Sequence, residues 1–226
     1  MEINNNYTQF YTKITSEYVY PTEFVVRTFL ANYPNLNYEK PKAGDKVLDV
    51  GCGDGRNTRF LCEQGFEVSG TEISEKIVEL SKSRLHSLGF SADIRVGRNN
   101  CLPFDDVFFD YILAAAVMYY VDENNSLMDN IIEYSRVLKS GGYLIASIAN
   151  EDSYVFQGSI LMNDGSRQIM NDPYNNRVGY KLHGFKSEDM IKEYFSPYFT
   201  DFSFGIAHNN YYGIDEKLFY VVCKKK

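Results

Sequence analysis

The segment VLDVGCGDG, residues 47–55, joins a short apolar stretch to three glycines that recur at every second position. The apolar residues are typical of a buried strand, and the segment that follows, DGRNTRFLCEQ (54–64), has the pattern of a helix. In an open α/β sheet a ligand binds beyond the carboxyl ends of the strands. Glycines at such a turn leave no Cβ atoms between the main chain and the ligand. The turn therefore predicts a site where a small molecule lies against the backbone.

Strands and helices alternate on both sides of this turn. Helices are predicted at 21–33, 54–64, 74–89, 126–142 and 187–195, and strands at KVLDVG, EVSGTEI, ADIRVG, DYILAAAV and YLIASIA. This alternation indicates a Rossmann-like, doubly wound sheet of the α/β class, mostly parallel. Two further strands, 199–207 and 217–225, are joined by only nine residues, which is too few for a helical crossover. We therefore expect a C-terminal antiparallel hairpin.

The length of 226 residues fits a single domain. We divide it into an N-terminal cap and helix (1–42), a core (43–150), an insert without regular pattern (151–186), and a final helix with the hairpin (187–226). The insert is expected to cover a substrate pocket.

Composition excludes several classes of partner. The net charge of −7 is unfavourable for binding nucleic acid or an anionic membrane surface. The sequence has no apolar run long enough to span a membrane and no signal peptide, so we expect a cytoplasmic protein. The four cysteines lack the spacing of a metal site or a disulfide framework, and we expect no metal. Abundant Asn, Lys, Tyr and Ile suggest a bacterial source.

A carboxylate, Glu72, ends the second predicted strand, 17 residues after Gly55. At that place it can accept two hydrogen bonds from a ribose diol. The pattern Asp49-x-Gly51-x-Gly53-x-Gly55 followed by Glu72 resembles the class I S-adenosylmethionine (SAM)-dependent methyltransferases. The Gly-Arg-Asn sequence at 55–57 looks like the variant of small-molecule and tellurite-resistance-type members. Further matching segments, which extend the resemblance over roughly 43–150, are LPF (102–104), FDYIL (109–113) and RVLKSGGYLIAS (136–147).

The resemblance implies SAM as cofactor and S-adenosylhomocysteine as product. It implies that Asp49 helps to position the amino group of SAM through the loop, that Gly51 and Gly53 line the methionine part, and that Glu72 binds the ribose. The family often has an acid that binds adenine where this chain has Arg98. Either of the next two asparagines is expected to supply an amide carbonyl instead. The expected cofactor-binding residues are Asp49, Gly51, Cys52, Gly53, Glu72, Ile73, Asn99, Asn100, Cys101, Ala115 and Tyr11.

In relatives, aromatic residues ahead of the first helix often fold over the cofactor. Tyr11, Tyr18 and Tyr20 are the candidates here. Plain packing is the alternative explanation for each of them.

The acceptor site is expected just past the fourth predicted strand and in the insert. Residues at the first of these places face the methyl group in relatives, and this chain has Tyr119 and Tyr120 there. We expect these two tyrosines and His183 to be catalytic, His183 as a general base. The insert is rich in basic residues, which would suit an anionic acceptor, although a solvated loop would also explain them. The expected substrate-binding residues are Arg177, His183, His208 and Tyr211.

The resemblance implies transfer of a methyl group to a small acceptor by in-line displacement at the sulfonium methyl. We expect an oxygen acceptor on a phosphorylated, sugar-linked or carboxylate-bearing molecule, and a monomer or a homodimer. One alternative is a nicotinamide-dependent Rossmann oxidoreductase, which the glycine spacing and the terminal hairpin disfavour. The other is a SAM-binding protein without transferase activity.

Overall fold

The structure is a computed structural model that describes residues 5–13 and 19–226. The helices in these ranges are α1 (Asn5–Thr12), α2 (Glu23–Leu30), α3 (Arg56–Glu63), α4 (Glu75–Ser87), α5 (Leu127–Val137) and α6 (Glu188–Phe195). The strands are β1 (Lys46–Val50), β2 (Glu67–Glu72), β3 (Asp93–Val96), β4 (Phe109–Ala115), β5 (Tyr120–Val121), β6 (Leu138–Ala149), β7 (Ile160–Leu161), β8 (Arg167–Gln168), β9 (Lys181–Leu182), β10 (Phe199–Tyr211) and β11 (Ile214–Lys225).

The main sheet has seven strands in the order β10-β11-β6-β4-β1-β2-β3. The five strands from β6 to β3 run parallel, while β11 is antiparallel to β6 and β10 is antiparallel to β11. The strand order reverses at β1, because β2 and β3 follow on one side of it and β4 and β6 on the other, and at such a point the crossovers to either side leave a crevice. The predicted fold class, including the antiparallel C-terminal pair, is confirmed.

Both faces of the sheet are buried, because helices cover each of them. Leu48 of β1 packs with α5 and α6 on one face, whereas its neighbour Val47 packs with α2 and α3 on the other. Successive side chains of a strand point to opposite faces, so a strand covered on both sides needs a continuous apolar run. Asp49 shares the face of Val47 and is directed toward α3.

The fourth predicted helix ends earlier than expected. We predicted a helix through RVLKSGG, but α5 stops at Val137 and Leu138 already pairs with Phe109 of β4. The two glycines are needed for sheet geometry instead. Gly141 has a φ of +79°, and a Cβ atom on Gly142 would lie 2.7 Å from the carbonyl oxygen of Asp110. They therefore belong to the start of a long strand and do not cap the helix.

The insert is regular, contrary to the expectation. It contains a short 3₁₀ helix, Tyr154–Phe156, and three two-residue strands. These strands join β5 in a second, four-stranded antiparallel sheet of order β5-β9-β8-β7. Strands of two residues are too short to show an alternating pattern in the sequence. The pairing of β9 with β5 attaches the insert to the segment that carries Tyr120.

The terminal hairpin is longer than predicted. Tyr211 pairs with Ile214, so only Tyr212 and Gly213 form the turn, and most of the expected linker is strand. Both turn residues have positive φ angles, 54° and 99°. Positive φ at both positions is the requirement of a tight type I′ hairpin, in which Asn-Gly is the commoner sequence.

The N-terminal helix α1 was not predicted. It lies against the carboxyl end of the sheet, between α4 and the insert. The amide of Asn6 donates to the carbonyl of Val178 at 3.2 Å, and the hydroxyl of Thr8 donates to that of Ser74 at 3.1 Å. Of the helices that the structure describes, none is both long and apolar enough to cross a membrane.

Candidate cofactor and acceptor site

A cavity of about 350 Å³ opens at the carboxyl end of the parallel strands. Its volume lies in the range of small-molecule sites. The residues that line it come from α1, the glycine turn after β1, the end of β2, the turn at 97–99, the segment from 115 to 122, and the insert. The cavity therefore has walls from most regions where the sequence predicted ligand contacts, but not from the C-terminal hairpin.

The glycine turn forms a close-fitting wall of this cavity. Gly51 and Gly53 have φ angles of +63° and +59°, a region that side chains disfavour. A Cβ atom on Gly51 would lie 2.6 Å from a methyl group of Val117, and one on Gly53 would overlap the hydroxyl end of Tyr11. The side chains of Val117 and Tyr11 thus pack directly on the two glycines, and this packing is possible only because the glycines lack side chains. Gly51 lines the cavity, whereas Gly53, which was also expected to bind the cofactor, does not.

Glu72 ends β2 at the edge of the cavity. One carboxylate oxygen accepts a hydrogen bond from the N–H of Gly53 and the other from that of Ile73, both at 2.9 Å. Burial raises the pKa of Glu72 to about 6, although these two N–H groups act in the opposite direction. Each oxygen keeps a further lone pair, so the carboxylate is fixed in place and able to accept from a ligand diol.

Asp49 has a different position from that of Glu72. It does not line the cavity, its side chain is buried, and its carboxylate accepts a hydrogen bond from the hydroxyl of Thr58 at 2.7 Å. Burial raises the pKa of Asp49 to about 7, and the negative charges of Glu72 and Asp54 act in the same direction. Asp49 thus braces the first turn of α3 behind the glycine turn.

Asp54 and Arg56 line the cavity at the start of α3 and were not among the expected site residues. The guanidinium of Arg56 donates to both carboxylate oxygens of Asp54, at 2.9 and 2.7 Å. Arg84 of α4 lies on the other side, 3.5 Å from the same carboxylate, and donates to the carbonyl of Asp54. Two arginines thus surround one buried carboxylate at this end of the cavity.

Asn99 lines the cavity at the opposite end, where adenine was expected. Its NH₂ group donates to the carbonyls of Val117 and Tyr120, and its carbonyl accepts from the hydroxyl of Tyr134 at 2.8 Å. Only one lone pair of that carbonyl remains for a ligand. Asn99 therefore mainly ties the turn at 97–99 to the segment after β4.

Arg98 stands where the resemblance leads one to expect an acid, and its partner compensates for this. Its guanidinium donates to the carboxylate of Asp122 at 2.7 Å, and both residues line the cavity. A carboxylate is therefore present at this end, supplied by the segment after β5. No local pattern signals this pair, because the two residues are 24 positions apart in the chain.

Asn100 and Cys101 do not line the cavity, which corrects their expected place in the cofactor site. Cys101 is exposed and exchanges backbone hydrogen bonds with Arg98, at 3.0 and 3.2 Å, closing a tight turn. The side-chain carbonyl of Asn100 is buried without a hydrogen-bond partner among the described residues. Turn closure directs both side chains away from the cavity.

A cluster of tyrosines forms the wall nearest the insert. The hydroxyls of Tyr7 and Tyr120 lie 2.5 Å apart, and the ring of Tyr180 packs edge-on against both, with centroids 5.7 and 5.6 Å away. Burial raises the pKa of Tyr7 and of Tyr180, so both remain protonated at neutral pH. This wall presents flat rings and hydroxyl donors to the cavity.

Arg177, which was expected to bind substrate, reaches the same wall from the insert. Its Nε atom donates to the hydroxyl of Tyr120 at 3.1 Å, and Nη1 donates to Tyr154 at 3.2 Å and to Asp172 at 3.3 Å. The side chain of Asp172 is fully buried and also accepts from the backbone N–H groups of 176 and 177. The remaining nitrogen, Nη2, donates to no residue in the described ranges.

Tyr119 and His183 lie outside the cavity, which corrects their expected catalytic role. Tyr119 is buried in the apolar core. His183 is buried against Phe185, with Nε2 3.2 Å from the hydroxyl of Tyr194, and burial lowers its pKa. The backbone N–H of His183 donates to the carbonyl of Tyr119 at 2.8 Å, so the two residues lie side by side next to the paired strands β5 and β9.

His208 and Tyr211 are likewise remote from the cavity. Both lie on β10 near the hairpin tip, and Nε2 of His208 is 2.8 Å from the carboxylate of Asp215 on β11. Their expected contact with substrate was based on a loop that is in fact strand. Of the aromatic candidates for covering the cofactor, Tyr11 lines the cavity, Tyr20 is exposed, and Tyr18 lies outside the described residues.

The structure thus brings together a large part of the predicted set. The expected residues that line the cavity are Gly51, Cys52, Glu72, Ile73, Asn99, Ala115, Tyr11, Tyr120 and Arg177. The residues that sequence reasoning missed include Tyr7 and Phe10. Their spacing with Tyr11, at i, i+3 and i+4, places all three on one face of a helix and would have been a usable signal.

The sheet order, the glycine turn and the acid that ends β2 define the class I methyltransferase fold. The sequence profile of a family described as "Methyltransferase domain" matches residues 48–146. Residues 48–146, somewhat less than half of the chain, are therefore similar to a methyltransferase domain, and the fold is that of the class I, SAM-dependent methyltransferases.

Among curated proteins, the ubiquinone biosynthesis O-methyltransferase of Maricaulis maris is 26% identical over 137 residues, 60% of this chain and 53% of that protein. The demethylmenaquinone methyltransferase of Tropheryma whipplei is 33% identical over 103 residues, 46% of this chain and 41% of that protein. The chain thus spans about half the length of the curated relatives it matches.

Solved structures share the fold at lower identity. A SAM-dependent methyltransferase of Methanosarcina mazei has a TM-score of 0.65 and 23% identity, covering 87% of this chain and 99% of its own. A possible histamine N-methyltransferase of Thermotoga maritima has a TM-score of 0.55 and 20% identity, covering 80% and 83%. Both likenesses concern the fold.

SAM is the cofactor of this class, and the residues present fit it. Gly51 and Cys52 of the turn line the cavity, and Gly51 holds a positive φ of +63° that residues with side chains disfavour. Glu72 is held at the edge of the cavity with accepting lone pairs available. Among residues 5–13 and 19–226 there is no group of three His, Cys, Asp or Glu side chains that could hold a metal ion.

Proposed function

We propose that the protein transfers the methyl group of SAM to an oxygen atom of a small, anionic acceptor. The observation that carries this proposal is that two different surfaces share one cavity. Gly51 and Glu72 form a surface suited to SAM, and Tyr120 and Arg177 form a second surface beside it. The similarity to an O-methyltransferase of ubiquinone biosynthesis supports oxygen as the accepting atom.

SAM supplies a methyl group on a sulfonium, which is transferred by in-line displacement to an aligned nucleophile. The residues of the chain then have to hold and orient two molecules, and such alignment can supply roughly 7–11 kcal/mol of the barrier. The segment from 115 to 122 lines the cavity between the two surfaces. Its position after β4 places it where the two molecules would meet.

Arg177 supports an anionic acceptor. Its Nη2 atom is not used within the described residues, and the charge of its partner Asp172 is shared with two backbone N–H groups. A carboxylate or phosphate of the acceptor would find a cation and the hydroxyls of Tyr7 and Tyr120 on the same wall. The tyrosine rings would pack against the remainder of the acceptor.

The lining residues in the described ranges include no histidine or lysine. Glu72 and Asp54 are engaged by backbone N–H groups and by Arg56, and the buried hydroxyl of Tyr7, whose pKa is raised, is a donor. An acceptor oxygen that is already ionised needs no general base. The proposed reaction therefore relies on the acceptor being an acid.

The test uses SAM labelled in its methyl group and a panel of carboxylic acids, phosphorylated sugars, acidic phenols and amines, with mass spectrometry of the products. We expect label in an acid, and we expect Arg177→Met to raise the KM for that acceptor about 10- to 100-fold while SAM affinity is unchanged. The control Arg167→Met removes an arginine of the same insert that pairs with Glu151 outside the cavity.

Label found only in amines, or an unchanged KM in Arg177→Met, would contradict the anionic oxygen acceptor. SAM binding without transfer to any compound of the panel would favour the alternative of a SAM-binding protein without transferase activity.

A further inference from the structure

The cavity wall at the start of α3 is built around the buried carboxylate of Asp54. Two guanidinium groups contact this carboxylate, that of Arg56, which lines the cavity, and that of Arg84 on α4, which does not. Arg56 is therefore the guanidinium that an anionic group in the cavity can meet.

The orientation of Arg56 is fixed by this arrangement. Nε and Nη2 form a two-point contact with Asp54, at 2.9 and 2.7 Å, which is the preferred geometry between a guanidinium and a carboxylate. The third nitrogen, Nη1, makes no hydrogen bond to a described residue. Since Arg56 lines the cavity, Nη1 is a donor held ready for a ligand.

Tyr11 contributes a second donor from the opposite side. Its hydroxyl is the atom closest to the position of a Cβ on Gly53, so it lies directly over the glycine turn. Burial is the main cause that raises the pKa of Tyr11. The charged groups that act on its hydroxyl are Glu72, Asp54 and Arg56. The hydroxyl is therefore protonated and able to donate at neutral pH.

The first turn of α3 adds a favourable field. Its leading N–H groups have no partner within the helix and carry partial positive charge. Arg56 is the first residue of this eight-residue helix, so its side chain and the helix terminus act at the same place.

We propose that Arg56 binds the carboxylate of the methionine part of SAM, that the hydroxyl of Tyr11 is a second donor to it, and that Asp54 and Arg84 are positioning residues for Arg56. The proposal rests on the proposed function, because it requires SAM in this cavity. It assigns the glycine turn and Glu72 to the rest of the cofactor, and this end of the cavity to the carboxylate.

The test compares two ligands that differ only in this carboxylate, SAM and decarboxylated SAM, by isothermal titration calorimetry. For Arg56→Gln we expect SAM to bind about 10- to 100-fold more weakly, and decarboxylated SAM to bind within about twofold of the wild-type value. In Asp54→Asn we also expect the affinity for SAM to fall relative to the affinity for decarboxylated SAM, because Arg56 loses its orienting partner. In Tyr11→Phe we expect a smaller fall of the same kind.

The matched control is Arg59→Gln. Arg59 lies one turn further along α3 and pairs with Glu63 at 2.8 Å, but it does not line the cavity. Its substitution should leave both affinities unchanged. Retained binding of decarboxylated SAM by Arg56→Gln also shows that this variant is folded.

Two outcomes would overturn the proposal while leaving the proposed function in place. They are an unchanged SAM affinity in Arg56→Gln, and an equal loss for both ligands, which would indicate a general distortion of the site. If folded wild-type protein binds neither ligand, the proposed function fails and this proposal fails with it.

Discussion

At the scale of single residues, the two carboxylates of the glycine motif have separate tasks. Asp49 and Glu72 both end up buried near the turn, but only Glu72 faces the cavity. Asp49 lies on the face of β1 that is covered by α3, where its carboxylate accepts a hydrogen bond from Thr58. Glu72, at the end of the adjacent strand β2, faces the cavity. The resemblance implied that Asp49 acts through the loop and that Glu72 binds the ribose directly.

Asp49 makes the stability of the protein depend on pH in a defined direction. Its pKa is about 7 in the folded state, against an ordinary value of 3.8. Between these values the folded state keeps a proton that the unfolded state has lost, so the free energy of unfolding falls as pH rises, by at most about 1.4 kcal/mol per pH unit. This loss of stability is absent below pH 3.8 and complete above about pH 7.

We therefore expect Asp49→Asn to become more stable relative to the wild type as pH rises through this window, with no further change above it. Urea unfolding at a series of pH values measures the difference. Asp105→Asn, at an exposed position, serves as the control and should show no such trend. A stability difference that is independent of pH would show that Asp49 is ionised throughout.

At the scale of elements, a short segment between β4 and β5 carries the proposed acceptor contact and is held from α5. The NH₂ group of the buried Asn130 donates to the carbonyls of Met118 and Tyr120, at 2.9 and 2.8 Å. Asn99 donates to Tyr120 as well, at 3.1 Å. These bonds add to the pairing of Tyr120 with Leu182 of β9, so they help to fix the place of Tyr120.

We expect Asn130→Ala to lower the free energy of unfolding by about 1–3 kcal/mol, because the carbonyl of Met118 loses its donor in a buried environment. Urea unfolding gives the loss. The KM for the acceptor should rise while SAM affinity changes little, since Tyr120 moves and the glycine turn does not. Asn125→Ala removes an exposed amide that donates to Glu123 and should be neutral. A stable variant with an unchanged KM would refute this role.

The elements that the sequence predicts well are those with long, regular patterns. The strands of the parallel sheet and helices α2 to α4 follow from apolar periodicity, glycine stops and the length of each segment. Strands β7 to β9 could not be found in this way, since two residues show no period. Helix α1 is short, polar and aromatic, so its local signal is limited to the spacing of Tyr7, Phe10 and Tyr11, and its place depends on the contacts that it makes with α4 and the insert.

At the scale of the whole molecule, the cofactor surface was predictable and the acceptor surface was only partly so. Gly51 and Glu72 are close in sequence to the strands that position them. Arg177 reaches Tyr120 across 57 positions through the second sheet, and Tyr7 reaches it across 113. Contacts at such separations depend on how the short strands pair and on where the N-terminal helix packs. No local sequence pattern reveals this pairing or this packing. His183 and His208 were misplaced for the same reason.

The central claim is that SAM binds in the cavity with Glu72 as the acceptor of its ribose hydrogen bonds. The most direct test is calorimetric titration of SAM into wild-type protein and Glu72→Gln at several pH values. The pKa of Glu72 is about 6, so protonation below that value removes accepting lone pairs.

We expect wild-type protein to bind SAM at about pH 8 and to bind it more weakly as pH falls through about 6. We expect Glu72→Gln to bind SAM about tenfold more weakly than the wild type at pH 8, with an affinity that depends less on pH. Folded wild-type protein that binds no SAM, or that binds NADH in its place, would contradict the account.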